Sequence, residues 1–362
     1  MTWKSLREIE IISYNLAYTT MIDILKESLK YLFISTIIST LFAPIMIGLL
    51  YKFNQVSGIK KTKLGSRDGT NSIFMRIMKS TQTNGTPNMG GILIWIIVPL
   101  VTYFFTPMFP ALRPLLIGFL LFGFWGLIDV AVFTNGFKNN QRIKALQETF
   151  EWRLGKLVIT ILLNIGIMYL LYSTGSFNTL TIGSFISLSV TPAILILAAI
   201  ISQFAIYSGE LTDGLDGLMV GIFTIIVASM AVLLIVQQQY AFLPFLAITL
   251  GVLIVDLYFN IPPARFWNGG PGAMPLAFSL FFIGLVTNNL LPYFLMSAVT
   301  WVIMGSSAIQ ILSMKFFKKR IFKIAPIHHH FQAVGWPQYK ITMRFWLFTL
   351  FACILGIYVG LI

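Results

Sequence analysis

Ten apolar runs, each 17–23 residues long, alternate with polar connections along this chain. At about 1.5 Å per residue, a helix of that length matches a bilayer core of roughly 30 Å. A segment inside lipid finds no water for its backbone, so each run must be helical. The runs cover residues 30–51, 90–109, 112–134, 155–173, 186–207, 217–236, 241–260, 274–290, 292–314 and 342–362. Only 10% of the residues are charged, where a soluble domain carries about 25%. Soluble, disordered, collagen-like and coiled-coil readings are thereby excluded. The reading is an all-α integral membrane protein of about ten transmembrane helices.

Residues 1–29 are mixed in character, with Lys4, Arg7, Glu8, Glu10, Lys26 and Glu27 among apolar residues. This segment reads as interfacial, not as a cleaved signal peptide, and residues 30–362 as one ten-span membrane domain. Twenty of the 25 Lys and Arg fall in alternate connections, from Lys52–Lys79 through Lys138–Lys156 and Arg265 to Lys315–Arg344. The positive-inside rule puts those connections in the cytoplasm and both termini outside. The chemistry-bearing residues share that cytoplasmic face. A net charge of +13 held in such loops suits anionic headgroups or an anionic substrate, not nucleic acid. One cysteine, Cys353, permits no intrachain disulfide.

There are twelve acidic residues. Asp129 ends the third run, and Asp256 lies near the inner end of the seventh. Glu210, Asp213 and Asp216 recur every third residue in a connection without Lys or Arg. One helical turn aligns such a spacing, and gathered carboxylates suit Mg²⁺ completed by a phosphate substrate. The alternative is capping of the sixth helix by Thr212 or Asp213. His328, His329 and His330 are all the histidines, and offer donors to a phosphate or else a solvated patch. Thr86-Pro87-Asn88-Met89-Gly90-Gly91 marks a shaped turn with room for a phosphate cradle. After the seventh run, Phe266 and Trp267 offer stacking faces for a planar base or belong to the interfacial aromatic belt.

In order and spacing, these islands resemble the phospho-N-acetylmuramoyl-pentapeptide transferases, within the polyprenyl-phosphate N-acetylhexosamine-1-phosphate transferases. The matching pieces are Thr86–Gly91, Gly126 to Asp129, Leu211–Leu218, Phe259-Asn260 with Pro263-Ala264, and Ala325–His330. The resemblance covers essentially the whole chain. It implies transfer of a phospho-N-acetylmuramoyl-pentapeptide from UDP to undecaprenyl phosphate, with UMP released and Mg²⁺ as cofactor. It also implies a bacterial inner membrane location and a homodimer. By the same resemblance Asp129 is a base or phosphate-activating carboxylate. Asp213 and His328, His329 and His330 stand near the reacting phosphates and sugar. Gly214, Leu215, Asp216, Asn260 and Trp267 line a uridine pocket, with Thr86 and Asn88 on the substrate side.

Several positions depart from the family pattern. Thr83 and Phe133 stand where the family has Lys, Val130 where it has a second Asp, and Tyr207 and Glu210 where it has Asn. Gly270 occupies the place of the family's metal-binding Asp. The expectation is a shifted metal site on Asp213 and Glu210, with Asp129 beside them. The alternatives are a homologue that binds without turnover, a transferase for another UDP-sugar, and a secondary transporter.

Overall fold

The structure is a computed structural model that describes residues 3–52, 86–134, 150–182 and 186–362. Thr83 and the basic stretches at 53–85 and 135–149 lie outside the described residues, as does the side chain of Phe133. The helices are α1 (Trp3–Lys52), α2 (Ile92–Phe105), α3 (Leu112–Thr134), α4 (Phe150–Ser173), α5 (Pro192–Thr212) and α6 (Leu218–Val236). They continue as α7 (Leu243–Asn260), α8 (Gly270–Val286), α9 (Leu290–Met296), α10 (Ala298–Phe316), α11 (Ile327–Ala333) and α12 (Gln338–Gly360). Among the described residues, eight helices are long and apolar enough to span a membrane, and α2 and α8 are shorter apolar helices. The protein is an all-α integral membrane protein.

Helix α8 is the axis of the bundle. Every residue from Gly270 to Leu285 is buried, and α2, α3, α5, α6 and α9 surround it. A helix apolar on every side belongs in such a place. Its closest neighbour is α3, through a glycine seam. A Cβ on Gly118 would lie 2.4 Å from the Phe278 ring, and one on Gly126 would lie 2.3 Å from the Gly270 carbonyl carbon. Small residues let two membrane helices approach to backbone contact. The seam fixes the N-terminus of α8 beside the end of α3 that carries Asp129.

Three expectations are corrected, none of them in α1, which runs unbroken from Trp3 to Lys52. Asp23–Lys26 and Glu27–Lys30 pair along it at i,i+3, which suits polar residues to a helix. The fifth span does not begin at residue 186. Thr179–Ile182 and Ile186–Ser189 alternate polar and apolar residues and pair as an antiparallel hairpin. Helix α5 then starts at Pro192, capped by the Thr191 hydroxyl. This shift places Glu210 inside α5 instead of in a loop. The ninth span is divided at Ser297 between α9 and α10. Ser297 Oγ donates to the Tyr293 carbonyl and accepts from Trp301 Nε1, a local alternative to straight helix. Finally, Gly217 is the N-cap of α6 and makes no side-chain cap bond, so neither Thr212 nor Asp213 caps that helix.

The seam yields a test. Gly126→Ala should lower stability by about 1–3 kcal/mol through overpacking. Gly166→Ala in α4, where no atom lies within 4 Å of the new methyl, should not destabilise. Thermal unfolding of both variants in the same lipid nanodiscs checks the difference.

Candidate active site at one end of the bundle

The site is built from two short segments that hold each other. One is the turn 213–217 between α5 and α6, and the other is the loop 261–269 between α7 and α8. Asp213 leaves the helix at φ −79°, ψ 56°, and Gly217 closes the turn at φ +72°, where glycine is favoured. Asp216 Oδ2 accepts the Ala264 N–H at 3.2 Å, and its Oδ1 accepts the Trp267 indole N–H at 3.0 Å. Asn260 accepts the Gly217 N–H at 2.9 Å and donates to the Phe266 carbonyl at 2.7 Å. Asp213 Oδ2 accepts the Gly269 N–H at 2.6 Å. Four of the expected site residues, Asp213, Asp216, Asn260 and Trp267, therefore take part in clasping turn to loop. Asp216 and Asn260 are buried and engaged at both ends, while Trp267 is half-buried with its ring oriented by Asp216.

The segment before α2 joins the clasp. Trp267 donates to the Pro87 carbonyl at 2.9 Å, and Gly90 and Gly91 donate to the carbonyls of Trp267 and Asn268 at 2.8 and 3.1 Å. The two glycine amides are thus engaged by protein, so the cradle read from this motif has no free N–H there. The glycines are needed for close approach: a Cβ on Gly91 would lie 2.2 Å from the Gly272 nitrogen. Thr86 and Asn88 stay half-buried at the edge of the site.

Opposite the loop lies a charged cluster. Lys156, at the start of α4, forms an ion pair with Asp129. Glu210 is within electrostatic reach of Asp129, Lys156 and Asp213. The connection after α5 lacks basic residues, and Lys156 from a neighbouring helix supplies the counter-charge its carboxylates require. Lys156 was not singled out in the sequence. Its signal was a lone ammonium just inside an apolar run, on the face shared with Asp129. Burial, reinforced by the Asp216 charge and opposed by the Gly269 N–H, pushes the Asp213 carboxyl up to about 6.

The histidines are not a solvated patch. His328 is fully buried, and its Nε2 lies 2.2 Å from where a Cβ on Gly214 would be. Neither of its ring nitrogens has a partner. Burial and the adjoining His329 ring hold its pKa well below the ordinary histidine value, so it is neutral. Burial also lowers His329, against the opposing bond to Gln332. His330 Nδ1 accepts the Lys323 N–H at 3.1 Å. Residues 213–216 and 328–330 thus meet through Gly214, whose missing side chain admits the imidazole.

A metal finds no ready-made cage here. Among the described residues no three His, Cys, Asp or Glu side chains gather as ligands. Gly270 offers no side chain, and a Cβ there would lie 2.8 Å from Gly126 Cα. Val130 packs beside Gly269 instead, 3.0 Å from the place of a Cβ. Two carboxylates, Asp213 and Glu210, remain within electrostatic reach of each other. That donor set suits Mg²⁺, which takes one or two carboxylates and completes its shell with phosphate and water.

A membrane bundle with carboxylates, an ammonium and imidazoles at one end defines a class, and residues 112–288 match the model of Glycosyl transferase family 4. The chain is 32% identical over 306 residues to the phospho-N-acetylmuramoyl-pentapeptide-transferase of Caldanaerobacter subterraneus, covering 83% of this chain and 91% of the relative. The enzyme of that name from Bacillus subtilis is 29% identical over 330 residues, 89% and 94% of the two chains. That from Caldicellulosiruptor bescii is 28% identical over 341 residues, 93% and 98%. The chain belongs to the phospho-N-acetylmuramoyl-pentapeptide-transferase family. It is a multi-pass protein of the bacterial inner membrane, in a family of phospho-sugar transferases.

The clasp is open to test. Asp216→Ala leaves two half-buried donors, Ala264 N–H and Trp267 Nε1, without their acceptor and should cost about 1–3 kcal/mol. Amide exchange across 260–270 should rise in the same variant. Asp216→Asn, which keeps one acceptor oxygen, should fall between it and the native protein.

Proposed function

We propose that this protein transfers phospho-N-acetylmuramoyl-pentapeptide from its UDP-linked donor to undecaprenyl phosphate at the cytoplasmic face of the membrane. UMP is released and a lipid-linked sugar diphosphate forms. The observation that carries this reading is the meeting of Asp213, Glu210, the Asp129–Lys156 pair and His328 around one turn and one loop. The family membership and the names of the relatives support the same substrates.

The residues have distinct tasks in this proposal. Trp267, held by its bond to Asp216, presents a stacking face to the uracil, with Gly214 and Leu215 beneath it. Lys156 neutralises the incoming lipid phosphate, and Asp129 beside it accepts that phosphate's proton if it carries one. The phosphate oxygen then forms a bond to the phosphorus that bears the sugar, and the bond to UMP breaks. His328, His329 and His330 face the diphosphate and sugar, with Thr86 and Asn88 at the pocket edge. Asp213 and Glu210 are the residues that would hold Mg²⁺, which neutralises charge developing on the diphosphate. A single ten-span domain over 30–362, and assembly as a homodimer, complete the proposal.

A second reading has its own support. Gly270 and Val130 stand where the family has carboxylates, and both pack closely. These packed positions favour a homologue that binds nucleotide sugar without turnover.

The deciding experiment is UMP release by protein in nanodiscs supplied with both substrates, with Mg²⁺ or with chelator. Metal-dependent release is expected, and Asp213→Asn should reduce it by at least about 10²-fold. The rate should fall in acid, because Asp213 acts as a carboxylate and burial raises its tendency to take up a proton. Donor binding with no release under any of these conditions would establish the second reading instead.

A further inference from the structure

Asp256 lies inside α7 and has no exposed surface. Asn268, in the loop before α8, is also completely buried. Asn268 Nδ2 donates to Asp256 Oδ1 at 2.8 Å. The other oxygen of each side chain, Asp256 Oδ2 and Asn268 Oδ1, has no donor. A buried acid beside a buried amide has one arrangement that satisfies both of these oxygens. The acid, protonated, returns an O–H to the amide oxygen, and the two side chains form a closed, neutral pair.

Its position gives the pair a task. The Asn268 carbonyl accepts the Gly91 N–H at 3.1 Å. The next residue, Gly269, donates its N–H to Asp213. Asn268 is thereby held from α7 by its side chain and from the segment before α2 by its backbone. The peptide that follows is aimed at the carboxylate nearest the proposed chemistry. Asp256 is an acid within a span, where an ionisable group rarely stands without a partner or function. Asn268 precedes by two residues the position from which the family's carboxylate is missing.

We propose that Asp256 and Asn268 are a positioning pair, which anchors the 266–270 loop to α7 and sets the Gly269 N–H on Asp213. Neither side chain touches substrate in this assignment. The effect on turnover rests on the transferase reading, whereas the anchoring of the loop does not.

Hydrogen exchange of the full chain in nanodiscs reads the anchoring, and UMP release reads its consequence. Asp256→Leu should speed exchange across 264–272 by about tenfold or more, with α1 and α10 unchanged. It should also lower kcat by about tenfold or more, at unaltered KM for undecaprenyl phosphate. Asp256→Asn should restore both, because its amide offers an acceptor and a permanent N–H to Asn268. If Asp256→Leu does not fold, Asn268→Met breaks the same bond and should loosen the same segment. Native protection of 264–272 in a folded Asp256→Leu or Asn268→Met variant would overturn the proposal. So would an Asp256→Asn variant as defective as Asp256→Leu and unable to bind Mn²⁺ by electron paramagnetic resonance, for the carboxylate would then be a metal ligand. The expected exchange pattern in a protein that releases no UMP would keep the pair and reject the transferase reading.

Discussion

The site depends on carboxylate oxygens accepting backbone N–H groups between the two segments that compose it. Asp213 takes the amide of Gly269, and Asp216 takes that of Ala264. At the edge of a lipid bundle these bonds do what water does for a soluble loop. They also restrict what the carboxylates have left to offer. Asp216 gives one oxygen to a backbone amide and the other to an indole. Asp213 gives one oxygen and remains half-buried. Two acidic residues three positions apart therefore differ in what they have left, Asp216 with both oxygens engaged and Asp213 with one on the loop.

The architecture was legible because burial in lipid leaves a coarse mark. Long apolar runs and the confinement of Lys and Arg to alternate connections anticipate most of the helices and the end at which polar residues collect. The failures came where a short range of residues has two physical solutions. Residues 186–189 read as the start of a span, yet their alternating Ser favours a hairpin with 179–182, and the start of α5 moved to Pro192. Among candidate site residues, the sequence marked individual side chains but not their contacts. Asp216, Asn260 and Trp267 meet in the structure, the first two as a clasp. Lys156 and Asn268 passed unnoticed because a single ammonium or amide leaves no periodic mark. Only the fold brings Lys156 to Asp129 across 27 residues of sequence.

The contact between α3 and α8 is local and tight. Val130 and Gly270 lie on either side of Gly269 within it. Carboxylates at Glu210 and Asp256 flank the same region from α5 and α7. Negative charge and hydrogen-bonding capacity surround the N-terminus of α8, and its backbone frame is held by Asp213, Asp216 and Asn260.

The glycine seam also limits what position 270 can accept. With Gly126 Cα only 2.8 Å from the place of a Cβ on Gly270, no side chain fits there unless α3 withdraws. Phe122 and Phe278, whose rings meet at 4.9 Å along the same contact, stand in the way of that movement. A carboxylate for this end of the bundle is therefore more readily carried on α5 or α7 than on the first turn of α8.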